Sequence, residues 1–232
     1  MDSRSVIAGT WIVIPLFNEG PVVEKVVRDV LEVFEHVVCV DDGSTDDSAE
    51  RAAAGGAVVV RHPINLGAGA AIRTGLDYAL LSPQTRFCVT FDADGQHQVA
   101  DALAMVEQVA ETEVDILIGS RFLDGRTKPG LIKKIVLRTA VMFERLSTGV
   151  RLTDAHNGLR VFNKTVADGL NITMNGMSHA SEIITLIIEN KWRVAEEPVE
   201  ILYTDYSLSK GQPLLNGVNI LFDGFLRGRT PR

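Results

Sequence analysis

Cysteine is nearly absent. The 232 residues hold two, Cys39 and Cys88, each inside an apolar run that reads as a buried strand, which argues against a disulfide framework or a zinc site and predicts two core thiols. Long hydrophobic runs are missing too. No segment approaches the roughly 20 apolar residues that cross a bilayer, and Met1 to Gly9 lacks the basic start and apolar stretch of a secretory signal, so a cytoplasmic address is expected. Nor is there a surplus of positive charge, and a net charge of −7 speaks against wholesale binding to nucleic acid or an anionic membrane. Internal repeats and low-complexity tracts are likewise absent.

What is present is a hydrophobic content of 46%, enough to bury one substantial core. The charge is unevenly spread, at −12 over residues 1–120, +6 over 121–170 and −1 over 171–232. The acidic and basic parts are expected to do different work. The first half alternates short β-rich runs (residues 11–17, 37–40, 57–61, 87–91 and 115–119) with stretches of helical spacing such as Val22, Val23, Val26, Val27, Val30 and Leu31. Alternating strands and helices predict an α/β fold with a mostly parallel sheet covered on both faces. Further on, 131–150 reads as a basic helix, 159–162 as a short strand, 179–190 as a helix and 194–203 as an extended segment interrupted by Pro198.

In such sheets ligands bind at the carboxyl ends of the strands. Those ends are polar here: Asn18-Glu19, Asp41-Asp42-Gly43-Ser44-Thr45-Asp46, Asn65-Leu66-Gly67 and Asp92-Ala93-Asp94-Gly95-Gln96-His97. Asp92 and Asp94 are two apart, so a turn brings both carboxylates to one hard cation, Mg2+ or Mn2+, which takes its other ligands from water and substrate phosphates. Gln96 and His97 are further ligand candidates. In the second cluster, Ser44 or Thr45 could cap a helix and Gly43 permits a tight turn, but capping leaves two adjacent carboxylates at a strand end in need of donors, which the N–H groups of a base would supply. Gly67-Ala68-Gly69 is a fragment of the dinucleotide-binding glycine pattern. It follows the third strand rather than the first and has Ile72 at the third glycine position, which weakens a nicotinamide reading; a helix start there could still hold a diphosphate.

Pro15-Leu16-Phe17-Asn18-Glu19, the two aspartate clusters, Asn65 to Gly69, Gly119-Ser120-Arg121-Phe122 and the run from Asp154 to Phe162, in this order and spacing, resemble family 2 glycosyltransferases of the GT-A fold. Closest in look are the dolichol-phosphate mannose synthase-like and related polyprenyl-phosphate sugar transferases. The resemblance implies a nucleotide-sugar donor, with Pro15, Asn18, Glu19 and Asp42 lining the base and ribose pocket and Asn65, Gly67 and Ala93 near the donor. Asp92 would bridge ribose or metal, Asp94 would be the principal metal ligand, and Gln96 a subgroup-specific third. Arg121 and Arg160 would meet the acceptor phosphate or donor diphosphate, and Lys210 is a further phosphate candidate. The reaction would be inverting, from a UDP- or GDP-hexose to a polyprenyl phosphate, with Mg2+ or Mn2+ as cofactor. An ionised phosphate needs no strong base, whereas a glycan hydroxyl acceptor would need a carboxylate such as Asp154 or Glu182. A catalytically silent sugar-nucleotide-binding protein is the reading of another class.

The domain expectation is a single catalytic unit over 1–205, with a donor half to about residue 120 and an acceptor half beyond it, followed by a tail, 206–232, carrying an amphipathic helix. Arg126, Lys128 and Arg138 extend the basic segment. The apolar faces of 131–150 and of the tail, each with basic residues, predict contact with a membrane surface, a small membrane-protein partner or a second subunit, and hence a peripheral position at the inner face of the membrane.

Overall fold

A computed structural model of the chain describes residues 3–124, 152–176, 178–203 and 206. The predicted helix 131–150, the tail helix, and Arg126, Lys128, Arg138 and Lys210 lie outside the described residues.

A sheet of seven strands organises the fold: β1 (Thr10–Leu16), β2 (His36–Asp41), β3 (Val58–Arg61), β4 (Phe87–Thr90), β5 (Ile116–Ser120), β6 (Arg160–Asn163) and β7 (Val194–Pro198). Their order across the sheet is β3-β2-β1-β4-β6-β5-β7. All neighbours are parallel except β6, which runs antiparallel to both β4 and β5. Because β6 comes from beyond residue 150 yet sits between strands from the first half, the predicted donor and acceptor halves share one sheet. Strands fall within one residue of the sequence expectation, apart from the 194–203 segment, where only Val194–Pro198 pairs.

The helices are α1 (Ser3–Ala8), α2 (Gly20–Leu31), α3 (Ser48–Gly55), α4 (Ala68–Leu80), α5 (Val99–Glu111), α6 (Lys164–Gly169) and α7 (His179–Asn190). Alternation along β1 explains why both sheet faces are covered: Ile12, Ile14 and Leu16 pack with Val23, Val27 and Val30 of α2 and Met105 of α5. Val13 points the other way, into a second core with Ala71, Ile72 and Leu76 of α4 and Ile183, Ile184 and Ile187 of α7. Each such side chain contributes about 1.5–3 kcal/mol by burial, and truncating Ile12 or Leu76, both fully buried, should cost about 2–5 kcal/mol. Gly75 lets α4 approach the sheet, since a Cβ there would lie 2.3 Å from Val13 Cγ1. Cys39 and Cys88 belong to opposite cores, and burial pushes both thiols up to about 12. They are packing residues.

One local expectation changes. Neither Ser44 nor Thr45 caps a helix, because α3 starts only at Ser48 with Asp47 at its cap position. Both residues bind Asn18 instead.

Candidate active site

The chain leaves β1 at Leu16 and β4 at Thr90, then turns in opposite directions across the sheet. That divergence opens a crevice at the carboxyl ends of the strands, and the polar clusters meet there.

The first wall is held by Asn18, whose φ of 54° is one that Asn tolerates better than most residues. Its N–H donates to Ser44 Oγ at 2.9 Å, and its Oδ1 accepts from Thr45 N–H at 2.9 Å. Asp46 accepts from Gly20 N–H at 3.1 Å and from Ser48 N–H at 3.0 Å, and Ser48 Oγ in turn accepts from Glu19 N–H at 2.8 Å. Tyr206 donates to Glu19 Oε2 at 2.8 Å. The start of α2 is thereby tied to the loop after β2.

Asp41 and Asp42 are both buried, at 1% and 3% exposure, and their partners divide them. Asp42 is engaged by the protein: Oδ1 accepts from Leu66 N–H at 2.9 Å and meets His62 Nδ1 at 2.7 Å, while Oδ2 accepts from Gly67 N–H at 2.6 Å. Asp41 Oδ1 accepts from Ser44 N–H, but Oδ2 has no hydrogen-bond partner and only the Arg61 guanidinium 3.2 Å away. A cavity of about 510 Å³, lined by Asp41, Gly43, Ser44, Thr45, Arg61, His62 and Pro63, lies against it, a volume suited to a nucleoside. Gly43 turns at φ +74°, and a Cβ on it would lie only 2.7 Å from Asn65 N, so the position admits no side chain. His62 carries no motif; its one sequence signal is its place directly after β3.

The start of α4 is less open than the glycines suggest. Gly69 N–H donates to Asn175 O at 2.8 Å, and Gly67 N–H is taken by Asp42. Two donors expected for a diphosphate are thus occupied within the protein, and Asn65 stands exposed nearby.

The second aspartate cluster follows β4. His97, with a side chain 3% exposed, sets its Nε2 2.9 Å from Asp92 Oδ2 and its ring edge-on to Phe91. Burial works against the Asp92 charge, but His97 and the Arg160 guanidinium outweigh it and hold the carboxyl below its ordinary range. Asp94 goes the other way. Burial first, then the neighbouring Asp92 charge, raise it to about 6, although Gln96 N–H donates to its Oδ1 at 3.0 Å. Ala93 between them is buried, at 4% exposure. Gly95 turns the chain at φ +73°, and Gly158 admits Asp92, whose Oδ2 would lie 2.2 Å from a Cβ at that position. A carboxylate whose charge is disfavoured by burial and by a neighbouring ionised carboxylate fits a hard divalent cation held between the two. Among the described residues no group of three or more His, Cys, Asp or Glu side chains could hold a metal, so the remaining ligands would come from Gln96, water or a bound diphosphate.

Arg121 and Arg160 differ sharply. Arg121 is clamped by Asp154, with Nε and Nη2 each 2.6 Å from a different carboxylate oxygen and its own N–H donating to Oδ2 at 3.1 Å. Asn157 adds a donor to the same oxygen at 3.3 Å. Glu196 of β7, outside every sequence motif, accepts from Thr153 and Asp154 N–H at 2.8 Å and fixes the segment that bears Asp154. Arg160 is 1% exposed. It donates to Ala155 O at 3.3 Å, its Nε has no partner, and burial lowers it to about 10 against the pull of Asp92 and Asp154. Of the two arginines expected to meet a phosphate, Arg121 keeps a side chain 12% exposed although Nε and Nη2 are engaged by Asp154, whereas Arg160 is buried at 1%. The candidate base Asp154 is fully engaged, and Glu182 is occupied by Thr173 and Met174.

Residues 11–170 match the family model of Glycosyl transferase family 2. The chain belongs to that family. Its relatives include an uncharacterised protein of Methanocaldococcus jannaschii, 34% identical and covering 91% of this chain and 89% of that protein. The UDP-N-acetylglucosamine–dolichyl-phosphate N-acetylglucosaminyltransferase of Methanococcus voltae is 26% identical, covering 91% and 93%. The polyprenol monophosphomannose synthase of Mycolicibacterium smegmatis is also 26% identical, covering 96% and 89%. Among solved structures, glucosyl-3-phosphoglycerate synthase from Mycobacterium tuberculosis in complex with UDP superposes with a TM-score of 0.75 at 18% identity, covering 99% of this chain and 83% of that one. The fold is therefore GT-A-like, and this family 2 member is a glycosyltransferase. No helix among the described residues is long and apolar enough to cross a membrane.

Proposed function

We propose that this glycosyltransferase moves a hexose from a UDP- or GDP-sugar to a polyprenyl phosphate, with inversion at the anomeric carbon and with Mg2+ or Mn2+ at Asp92 and Asp94. The observation that carries the acceptor half is the engagement of both candidate bases, Asp154 by Arg121 and Glu182 by Thr173 and Met174. A hydroxyl acceptor needs a general base to take its proton, and these two carboxylates are not free for that work, whereas a phosphate arrives ionised. Relatives named for dolichyl-phosphate and polyprenol substrates support the same choice.

In this reading the base enters the cavity beside Asp41, whose buried Oδ2 makes no hydrogen bond and is ion-paired with Arg61 at 3.2 Å; with the Arg61 side chain displaced it would accept an imide N–H, while Asp42 keeps the cavity wall in shape. This moves the expected base contact from Asp42 to its neighbour. A bound cation would neutralise the departing diphosphate. Asp92, oriented by His97, and Asp94 would hold it, with the Gln96 side chain beside them. Arg121, pre-aimed by Asp154, would draw the acceptor phosphate into line. One phosphate oxygen then forms the new bond to the anomeric carbon as the bond to the nucleoside diphosphate breaks on the opposite face. The catalytic unit is proposed to span 1–205, working at a membrane surface where the lipid resides.

Purified protein with Mn2+, labelled UDP- and GDP-sugars and either polyprenyl phosphate or glycan acceptors tests this. Label in the lipid-phosphate product is expected. Transfer to hydroxyl acceptors alone would refute the phosphate reading, and nucleotide binding that ignores metal and never leads to turnover would favour a silent binding protein.

A further inference from the structure

The Glu182 carboxylate, 9% exposed near the start of α7, accepts every donor that residues 173–174 offer it. Thr173 N–H lies 3.0 Å from both oxygens, Thr173 Oγ1 2.5 Å from Oε1 and Met174 N–H 2.8 Å from Oε2. The next residues cross the beginning of α4. Asn175 O accepts from Gly69 N–H at 2.8 Å, and Gly176 O accepts from His179 N–H and lies 2.8 Å from His179 Nδ1. The approach is so close that a Cβ on Gly67 would sit 2.1 Å from Asn175 O, and one on Gly69 2.0 Å from Met174 O. From the other side, Asp42 holds the N–H groups of Leu66 and Gly67 and meets His62, which lines the nucleoside-sized cavity. Gly67 is thus pinned between Asp42 and a strap whose far end is Glu182.

We propose that Glu182 is a positioning residue that, through the 173–176 strap, fixes the start of α4 and the 62–67 loop, whose His62 and Pro63 line the nucleotide pocket. The strap reaches from α7 to Gly67 and Gly69, which do not themselves line the cavity, so Glu182 acts on donor binding at a distance and takes no part in proton transfer. This rests on the reading of the cavity as the nucleotide site. A buried carboxylate with three neutral donors has lost most of its freedom to rotate or to act as a base, and the wall it steadies carries no regular structure between β3 and α4.

Glu182→Gln keeps the shape but removes an acceptor and adds donors facing donors. In a variant with native circular dichroism, hydrogen exchange at the Leu66, Gly67 and Gly69 amides should speed up about tenfold, the equivalent of one good hydrogen bond. The dissociation constant of UDP or GDP should rise by a similar factor, while kcat at saturating donor stays within about threefold and the shape of the pH–rate profile is unchanged. If Glu182→Gln fails to fold, Gly69→Ala, which presses on Met174 O from below, is expected to give the same exchange and affinity changes. Unchanged exchange at the three amides overturns the proposal. So does a collapse of kcat with donor affinity intact, which would make Glu182 part of the chemistry. If the unaltered protein binds neither nucleotide, the donor reading itself fails, and the exchange experiment still decides what Glu182 holds.

Discussion

Asp154→Asn separates a structural clamp from a general base. The carboxylate is 1% exposed and its Arg121 partner 12%, so the pair is desolvated and cannot be discounted as a surface ion pair. The change preserves volume and one acceptor oxygen but removes the charge that faces Arg121, and it strips the fully buried Arg160 of one of its two counter-charges. Breaking a buried pair by removing one partner costs about 3–5 kcal/mol; because Asn retains one hydrogen bond, about 3 kcal/mol is the expected loss. For a chain of this size that lowers Tm by about 6–12 °C. Urea unfolding followed by circular dichroism gives the free energy, and a cycle with Arg121→Met should return a coupling of at least about 1.5 kcal/mol. A loss below about 1 kcal/mol, the range of an exposed pair, would refute the clamp. Turnover abolished with stability intact would instead restore Asp154 as a base.

Asp94→Asn should weaken Mn2+-dependent donor binding at least about 100-fold by calorimetry while leaving metal-free nucleotide binding within about threefold. Because burial and Asp92 raise Asp94 from 3.8 to about 6, Mn2+ must displace its proton in acid, and metal affinity should fall about tenfold per pH unit below 6. The sign for folding is the reverse of an ordinary ion-paired carboxylate: the metal-free protein gains stability as pH falls from about 6 towards 4 through this group, which pH-dependent denaturation in EDTA will show or exclude. Asp41→Asn should raise the dissociation constant of UDP or GDP by about 10-fold or more and Asp42→Asn should chiefly lower Tm; the opposite ranking would return the base contact to Asp42.

The sequence by itself determined the α/β class, the strand positions to within a residue and the clusters that gather at the strand ends, because these follow from local periodicity and from the rule that parallel strands present their carboxyl ends to one crevice. Asp92 and Asp94 were legible as a pair for the same reason: two residues apart on one short turn, they need no distant partner to lie close. What tertiary structure alone decided was the partner of each polar group. Asp41 and Asp42 are adjacent, yet one faces the cavity and the other the 62–67 loop, a difference set by donors more than 20 residues away in sequence. Arg160 alternates inward on β6 and is buried, while Arg121, just past β5, reaches Asp154 from 33 residues away. Glu196 and His62, silent in any motif, matter only because β7 and β3 bring them beside loops they do not adjoin in sequence. Hydrogen-bond partnership is a property of space, and no spacing along the chain encodes it.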